Sequence, residues 1–385
     1  MNKKIYAVVG GFAMRLDAKK GIYVFSYEPE AGRLDLIGNF RPEINVGQGI
    51  YDKKRDICYI VDERKERPGE RGGGGRILCF RLRRETGEPE WVNEKDTLAT
   101  SPCYVSLDCR SGYLLVSHHG AGNVVTKTIK KEDGTFGMQT CADDDTVVLF
   151  RINMDGSIGE LCDVSWHEVE REEGKIVKLP HLHCCEQSPD GELYLLCDKG
   201  ADKIHSYRLD RENGKLIPLR HIFVEDGVHP RYGRFHPRLP LLYQNCENHA
   251  FLFVWRYEKE TGEIWKFQKI SLLADENLAA AWTAEGASDL ILDGDAGYLY
   301  ASVRGLDVLS VFSVNHDGSL KLIQNIGCGG NNPRGLCMSP DERFLFVMNR
   351  DSDKIVRFKR KEDGTLTEDG TAAECRLPGN MMFVE

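Results

Sequence analysis

Two regularities predict an all-β chain folded as a seven-bladed β-propeller with four strands per blade: an eighteen-residue frame occurring six times and a glycine-centred turn occurring seven times. The frames begin at Val46, Pro102, Leu182, Pro230, Ala287 and Pro333 and end at Glu63, His119, Lys199, Glu247, Arg304 and Arg350. Inside each, an apolar run, a turn cluster such as SPDGE, RSG or SPDER, and a second apolar run such as LYLLC or FLFVM follow one another. Two short runs rich in β-formers around Asp, Gly and Pro read as a hairpin. A third run follows (GRILCFRLR, AFLFVWRYE, DKIVRFKRK), then a turn (TGEP, TGEI, DGTL) leading into a fourth. Four strands per repeat, radially arranged, leave only short sheet edges exposed.

Six hairpins against seven turns leave one blade to be completed by both ends of the chain. KKIYAVVGG reads as a second strand, GIYVFSYEP as its third, and PGNMMFV (378–384) as a first. The ring therefore closes by pairing of N- and C-terminal strands, and residues 1–385 form a single propeller domain. Two stretches break the period. Residues 126–147 read as an inserted hairpin or flap, and ERKERPGERGGGG (63–75) as a mobile loop whose glycines lack the spacing of a phosphate-binding motif.

Bulk properties narrow the function. The net charge is −9 with no long basic run, which argues against nucleic acid as a partner. No stretch approaches the ~18 apolar residues of a membrane span, so no membrane partner is expected. The 13 cysteines include no CxxC pair and mostly sit inside apolar runs, where a free thiol acts as a small hydrophobe. With no clear signal-peptide cleavage site in MNKKIYAVVGGFAMRLDAKKG, a cytoplasmic location is expected.

In a propeller the innermost strands line a central channel, so frame starts and frame ends gather at one mouth. The second frame positions are Gly47, Cys103, His183, Arg231, Ser288 and Arg334. Equivalent positions with a structural role tend to repeat one residue type. Here imidazole, guanidinium, ammonium, thiol and carboxylate alternate, which is the mark of a site. Two arginines beside Glu247 would hold it ionised, and guanidinium forks suit an anionic small ligand. His181 and His183 would share one side of a strand, half of a metal site, but no motif supplies the remaining ligands; no metal and no cofactor are expected.

PHLHCCEQSPDGELYLLCDKGADKI, HPRYGRFHP with the following Glu247, and NNPRGLCMSPDERFLFVMNRDSDKI resemble the seven-bladed lactonase propellers, which comprise the propeller-type 6-phosphogluconolactonases and the related fungal carboxy-muconate lactonizing enzymes. The resemblance covers nearly the whole chain. It implies a site of His183, Arg231, Glu247 and Arg304, four of the residues that the frames gather at the mouth; His181, His119, Lys199, Arg334 and Arg350 are expected beside them as substrate-binding neighbours. Tyr232, the His118-His119 pair and Cys246 depart from the family pattern, and bear on which substrate is used.

The implied activity is hydrolysis of an anionic sugar lactone: Arg231 and Arg304 stabilising the oxyanion or binding the anionic group, and Glu247 or His183 activating water. A cycloisomerase closing or opening a lactone without water, and a propeller that binds without chemistry, remain alternatives on the sequence alone.

Overall fold

The structure, a computed structural model, describes residues 4–13, 20–67, 69–120, 122–143, 145–282 and 286–385. Lys3 of the expected N-terminal strand and Asp144 of the expected insertion lie outside the described residues.

Seven four-stranded antiparallel sheets form the blades, each running outward from the channel. Blade I comprises Val46–Asp52, Ile57–Asp62, Arg76–Leu82 and Pro89–Asp96. The inner strands of blades II to VI are Pro102–Leu107, Leu182–Gln187, Pro230–Phe235, Ala287–Leu292 and Pro333–Met338. Blade VII takes its inner strand, Pro378–Val384, from the C-terminal end and its other three, Ile5–Gly11, Gly21–Glu28 and Arg33–Phe40, from the N-terminal end. Val384 pairs with Tyr6 and Pro378 with Gly11, so the expected closure between the termini is formed. Each inner strand neighbours the next, and the last neighbours the first.

Among the described residues, the buried apolar side chains fall into seven clusters, and these lie at the seven blade seams. Val24 and Ile22 of blade VII meet Ile60 and Leu78 of blade I, for example, and Tyr194 and Leu196 of blade III meet Val147 and Leu115 of blade II. Stability is thus lodged between blades, and the axis is left for polar groups. The turn glycines belong to the same seams. Tyr59, Tyr243 and Tyr300 each donate a hydroxyl to the carbonyl of a neighbouring blade's turn glycine, Gly156, Gly318 and Gly364, at 2.7 to 2.9 Å. Gly364 has φ +78°, and a Cβ there would stand 2.1 Å from the Tyr298 ring.

The insertion is a hairpin, as expected, with strands Val124–Lys130 and Phe136–Ala142. A second, shorter hairpin, Glu170–Glu172 and Lys175–Lys178, and a six-residue helix, Glu276–Ala281, were not legible in the sequence. The glycine-rich loop, of which Pro68 lies outside the described residues, is enclosed at its end, whereas Gly69 and Gly72 have open space around them. Arg67 donates its amide to Gly72 and its Nε to Gly73, and a Cβ on Gly75 would lie 2.2 Å from Pro102. At Gly75 the neighbouring chain leaves no room for a side chain.

Candidate functional site

A single backbone device builds the channel mouth. After each blade's second strand, the next residue donates its amide to the residue just before the inner strand: Glu63 to Asn45 (2.6 Å), His119 to Ser101 (2.9 Å), Lys199 to His181 (2.9 Å), Glu247 to His229 (2.8 Å), Arg304 to Gly286 (3.0 Å) and Arg350 to Asn332 (3.0 Å). A seventh bond of the same kind joins Phe12 to Leu377 at 2.8 Å. Phe12 is therefore the seventh frame end, hidden in the sequence because ring closure splits that frame between the two ends of the chain.

Immediately after its first residue, every inner strand carries a one-residue bulge. Pro230 opposes Cys246 while Gly233 opposes Gln244, and the same shift occurs in the other six blades. An unpaired residue in a ladder bends the strand and re-aims its side chain. The bulge thus turns the second frame position into the mouth, and hydrogen bonds link several of these positions around the axis. Arg231 Nη1 donates to the Ser288 carbonyl and, at 3.3 Å, to its Oγ; Ser288 Oγ donates to the Arg334 carbonyl at 2.7 Å; Cys103 Sγ donates to the Leu182 carbonyl at 3.3 Å.

Glu247 is the hub. Lys199 Nζ and Arg231 Nε approach its Oε2 at 3.0 and 3.4 Å, and Arg304 Nη2 approaches its Oε1 at 3.0 Å. Burial alone would raise this carboxyl, but Arg231, Lys199 and Arg304 together hold it well below the usual carboxylate range. His183 lies beside it. Burial first, then the Arg231 charge, keeps its imidazole neutral, and its buried Nδ1 has no hydrogen-bond partner. The ring leans on Tyr232, 5.0 Å between centroids, and Arg231 covers the Tyr232 ring at 4.7 Å.

His119 joins this group and is likewise kept neutral by burial and by Lys199. It stacks on His181 at 4.8 Å and meets His183 edge-on at 6.0 Å. His181 is held differently from the expectation. It precedes the strand rather than sharing a face with His183, its amide bonds Asp198 Oδ1, and its Nδ1 donates to the His119 carbonyl at 2.7 Å. The imidazoles of His119 and His181 therefore form a stacked wall, not half of a metal site. Arg350, the frame end of blade VI, pairs its Nε with Asp351 at 2.8 Å.

Arg334 points to the residue that sequence reasoning passed over. Its guanidinium lies 3.6 Å over the Phe12 ring and 4.0 Å from Glu63 Oε2, an oxygen that is buried and has no hydrogen-bond partner. Burial pushes the Glu63 carboxyl up to about 7, against the pull of Arg334, Arg231 and Lys199, while the Glu247 charge adds to the rise. Gly47 makes the room: a Cβ there would stand 2.5 Å from Glu63 Oε2. The signal was present in the sequence as an acidic frame end facing a glycine at the second position of its own frame.

A second polar cluster, centred on Arg234, lies against the Tyr232 ring that Arg231 also covers. Arg234 reaches Glu186 at 2.6 Å, the Tyr104 hydroxyl at 2.9 Å and Asp289 at 3.5 Å, with its guanidinium under Tyr232. To one side the two inserted hairpins, tied by Arg171 to the Thr140 carbonyl at 2.6 Å, wall a cleft of about 620 Å³ that includes Val124, Lys178, His181 and His229.

A closed ring of seven blades with a cationic, carboxylate-centred mouth defines a propeller of the small-molecule-binding kind. The chain belongs to the family described as lactonase, 7-bladed beta-propeller, whose model matches residues 6–383. It is 25% identical over 356 residues to the 6-phosphogluconolactonase of Bacillus subtilis, covering 90% of each chain. An uncharacterised protein of Lactococcus lactis subsp. cremoris is 30% identical over 387 residues, covering 98% of this chain and all of that one. The periplasmic gluconolactonase of Pseudomonas aeruginosa shares the fold with a TM-score of 0.81 at 22% identity, over 99% of both chains. No helix among the described residues is long and apolar enough to cross a membrane.

Proposed function

We propose that this protein is a lactonase that hydrolyses an anionic sugar lactone, 6-phosphogluconolactone foremost, at the mouth of the channel, acting as a single propeller domain in the cytoplasm. The observation that carries this reading is local charge. Among the described residues, Lys199, Arg231, Arg304 and Arg334 are set against Glu247 and Glu63 within one group, so these side chains carry a positive excess on a chain whose overall charge is −9. Such a focus attracts an anion and strengthens every bond to it in the partly dry site.

Water adds to the lactone carbonyl, the tetrahedral oxyanion forms, and the ring C–O bond breaks to leave a hydroxy acid. Arg231 and Arg304, held by their shared ion pairs with Glu247, face the developing oxyanion or the substrate's anionic group. His183 offers Nδ1 to water or to a sugar hydroxyl. A carboxylate clamped by three cations is a weak base, and a buried neutral imidazole is a reluctant one, so proton transfer falls to Glu63. Its value near 7 suits taking a proton from water and returning it to the departing ring oxygen. His181, His119 and Arg334 line the approach to the mouth, and Lys199 keeps Glu247 in place.

The test is hydrolysis of freshly generated 6-phosphogluconolactone, corrected for its spontaneous opening, with a muconolactone measured in parallel. Turnover of the sugar lactone, lost in Arg231→Ala, is the expected result. Turnover of the muconolactone alone would transfer the assignment to a cycloisomerase, and turnover of neither would overturn the enzymatic reading.

A further inference from the structure

At the seam between blades II and III, beyond the mouth, two imidazoles and a carboxylate converge; of these, Asp198 also holds the His181 amide. His167 ends the outer strand of blade II, Ile158–His167; Asp198 ends the second strand of blade III; and His205 lies on its third strand, Lys203–Asp210. One donor atom from each lies within 4.8 Å of the others. His205 Nε2 is buried, makes no hydrogen bond, and faces Asp198 Oδ2 at 3.5 Å. The His167 and His205 rings meet edge-on, 4.5 Å apart.

We propose that His167, Asp198 and His205 bind a divalent transition-metal ion of the zinc type. Two imidazole nitrogens and one carboxylate oxygen are a borderline donor set that suits Zn²⁺ over Mg²⁺ or Ca²⁺, and three protein donors leave a position for water. The supports around the donors are those a metal site needs. Asp198 Oδ1 is already fixed by the His181 and Ala201 amides at 2.9 and 3.1 Å, which leaves Oδ2 for the ion. The Tyr207 hydroxyl holds His167 Nε2 at 2.6 Å and orients that ring. A neighbouring cation, Lys203, is neutralised by Glu170 at 2.6 Å. A bound ion would join the two blades directly before the hairpin Glu170–Lys178 that walls the cleft beside the mouth, so its role is to anchor that wall.

The experiment uses the full chain, stripped with a chelator and titrated with Zn²⁺ by calorimetry and with Co²⁺ by visible absorption, beside His167→Gln and His205→Gln. One equivalent of Zn²⁺, a Co²⁺ ligand-field spectrum with nitrogen character, and an upward shift in melting temperature are expected, since an ion that binds only the folded state stabilises it. Each variant should weaken binding by more than about 10-fold. Circular dichroism of the metal-free variants checks that they fold. No uptake by the parent chain, or uptake unchanged in both folded variants, would overturn the assignment.

Discussion

Replacing Glu63 by Gln separates proton transfer from every other contribution of the mouth. The carboxyl rises from its ordinary value near 4.5 to about 7, which at ~1.4 kcal/mol per tenfold is about 3 kcal/mol against its ionised form in the folded chain. Below pH 4.5 the group is protonated folded or unfolded, and no such cost exists. Between pH 4.5 and 7 the unfolded chain loses the proton while the folded chain still holds it, so stability falls across that window and the full cost stands above 7. An uncharged carboxamide in its place carries no such dependence. The variant should match the parent at pH 5 and exceed it at pH 8 by up to about 3 kcal/mol, less the support lost by Arg334. That guanidinium is already pushed down to about 10 by burial and by Arg231, with Glu63 pulling back. In parallel, kcat/KM for 6-phosphogluconolactone should fall by roughly 10²- to 10⁴-fold, and the limb of its pH profile near 7 should vanish. Urea unfolding at the two pH values and initial rates across the range measure both. A stability difference flat in pH, or a surviving limb near 7 with nearly full activity, would refute the assignment of Glu63.

Glu247→Gln should act oppositely. It leaves Lys199, Arg231 and Arg304 without their shared carboxylate, so stability near pH 7 should drop by about 3 kcal/mol, the typical cost of breaking a buried ion pair. The parent should lose this contribution as pH falls below 4.5, because the folded carboxyl titrates lower than the unfolded one; the difference between the two chains in urea should shrink there. Gly47→Ala places a methyl 2.5 Å from Glu63 Oε2, and should cut turnover by about 10-fold or more while costing about 1–3 kcal/mol in denaturant, the range for overpacking. Replacing residues 126–140 by a short Gly-Ser turn removes an exposed hairpin whose Phe136 and Met138 are 73% and 82% exposed; the melting temperature should move by less than about 4 °C, with KM changing more than kcat.

Much of the architecture was legible because a repeat multiplies weak signals. No single hairpin here is distinctive, yet six of them in phase fix the blade, and the mismatch between six hairpins and seven turns locates the closure at Pro378–Val384. What the repeat could not show lies where the chain leaves it. The hairpin Glu170–Lys178 and the helix Glu276–Ala281 occur once each. Phe12 was hidden because its frame is divided between the two ends of the chain. His167, Asp198 and His205 occupy unlike positions in two blades, so no comparison of equivalent positions brings them together.

Arg350 and Glu63 show the limit of position as a guide to role. Both end a frame and both make the same backbone bond, yet Arg350 turns to the adjacent Asp351 while Glu63 faces the axis. Glu63 and Glu247 make the point more sharply, being the same residue type at the same position of blades I and IV. Their backbone bonds differ by only 0.2 Å, 2.6 against 2.8 Å. What differs is the second frame position of their own blade and the frame ends beside them. Glu247 has Arg231 across its hairpin and Lys199 and Arg304 on its two flanks, so charge overcomes burial and the proton is driven off. Glu63 has Gly47 across its hairpin and, among the described residues, only Arg334 within 4.0 Å, so burial wins and the proton is kept to about 7. One scaffold position thus yields an ionised carboxylate in one blade and, in another, a carboxyl that keeps its proton to about 7, as the role proposed for Glu63 requires; the facing bulge residue is an arginine in the first and a glycine in the second.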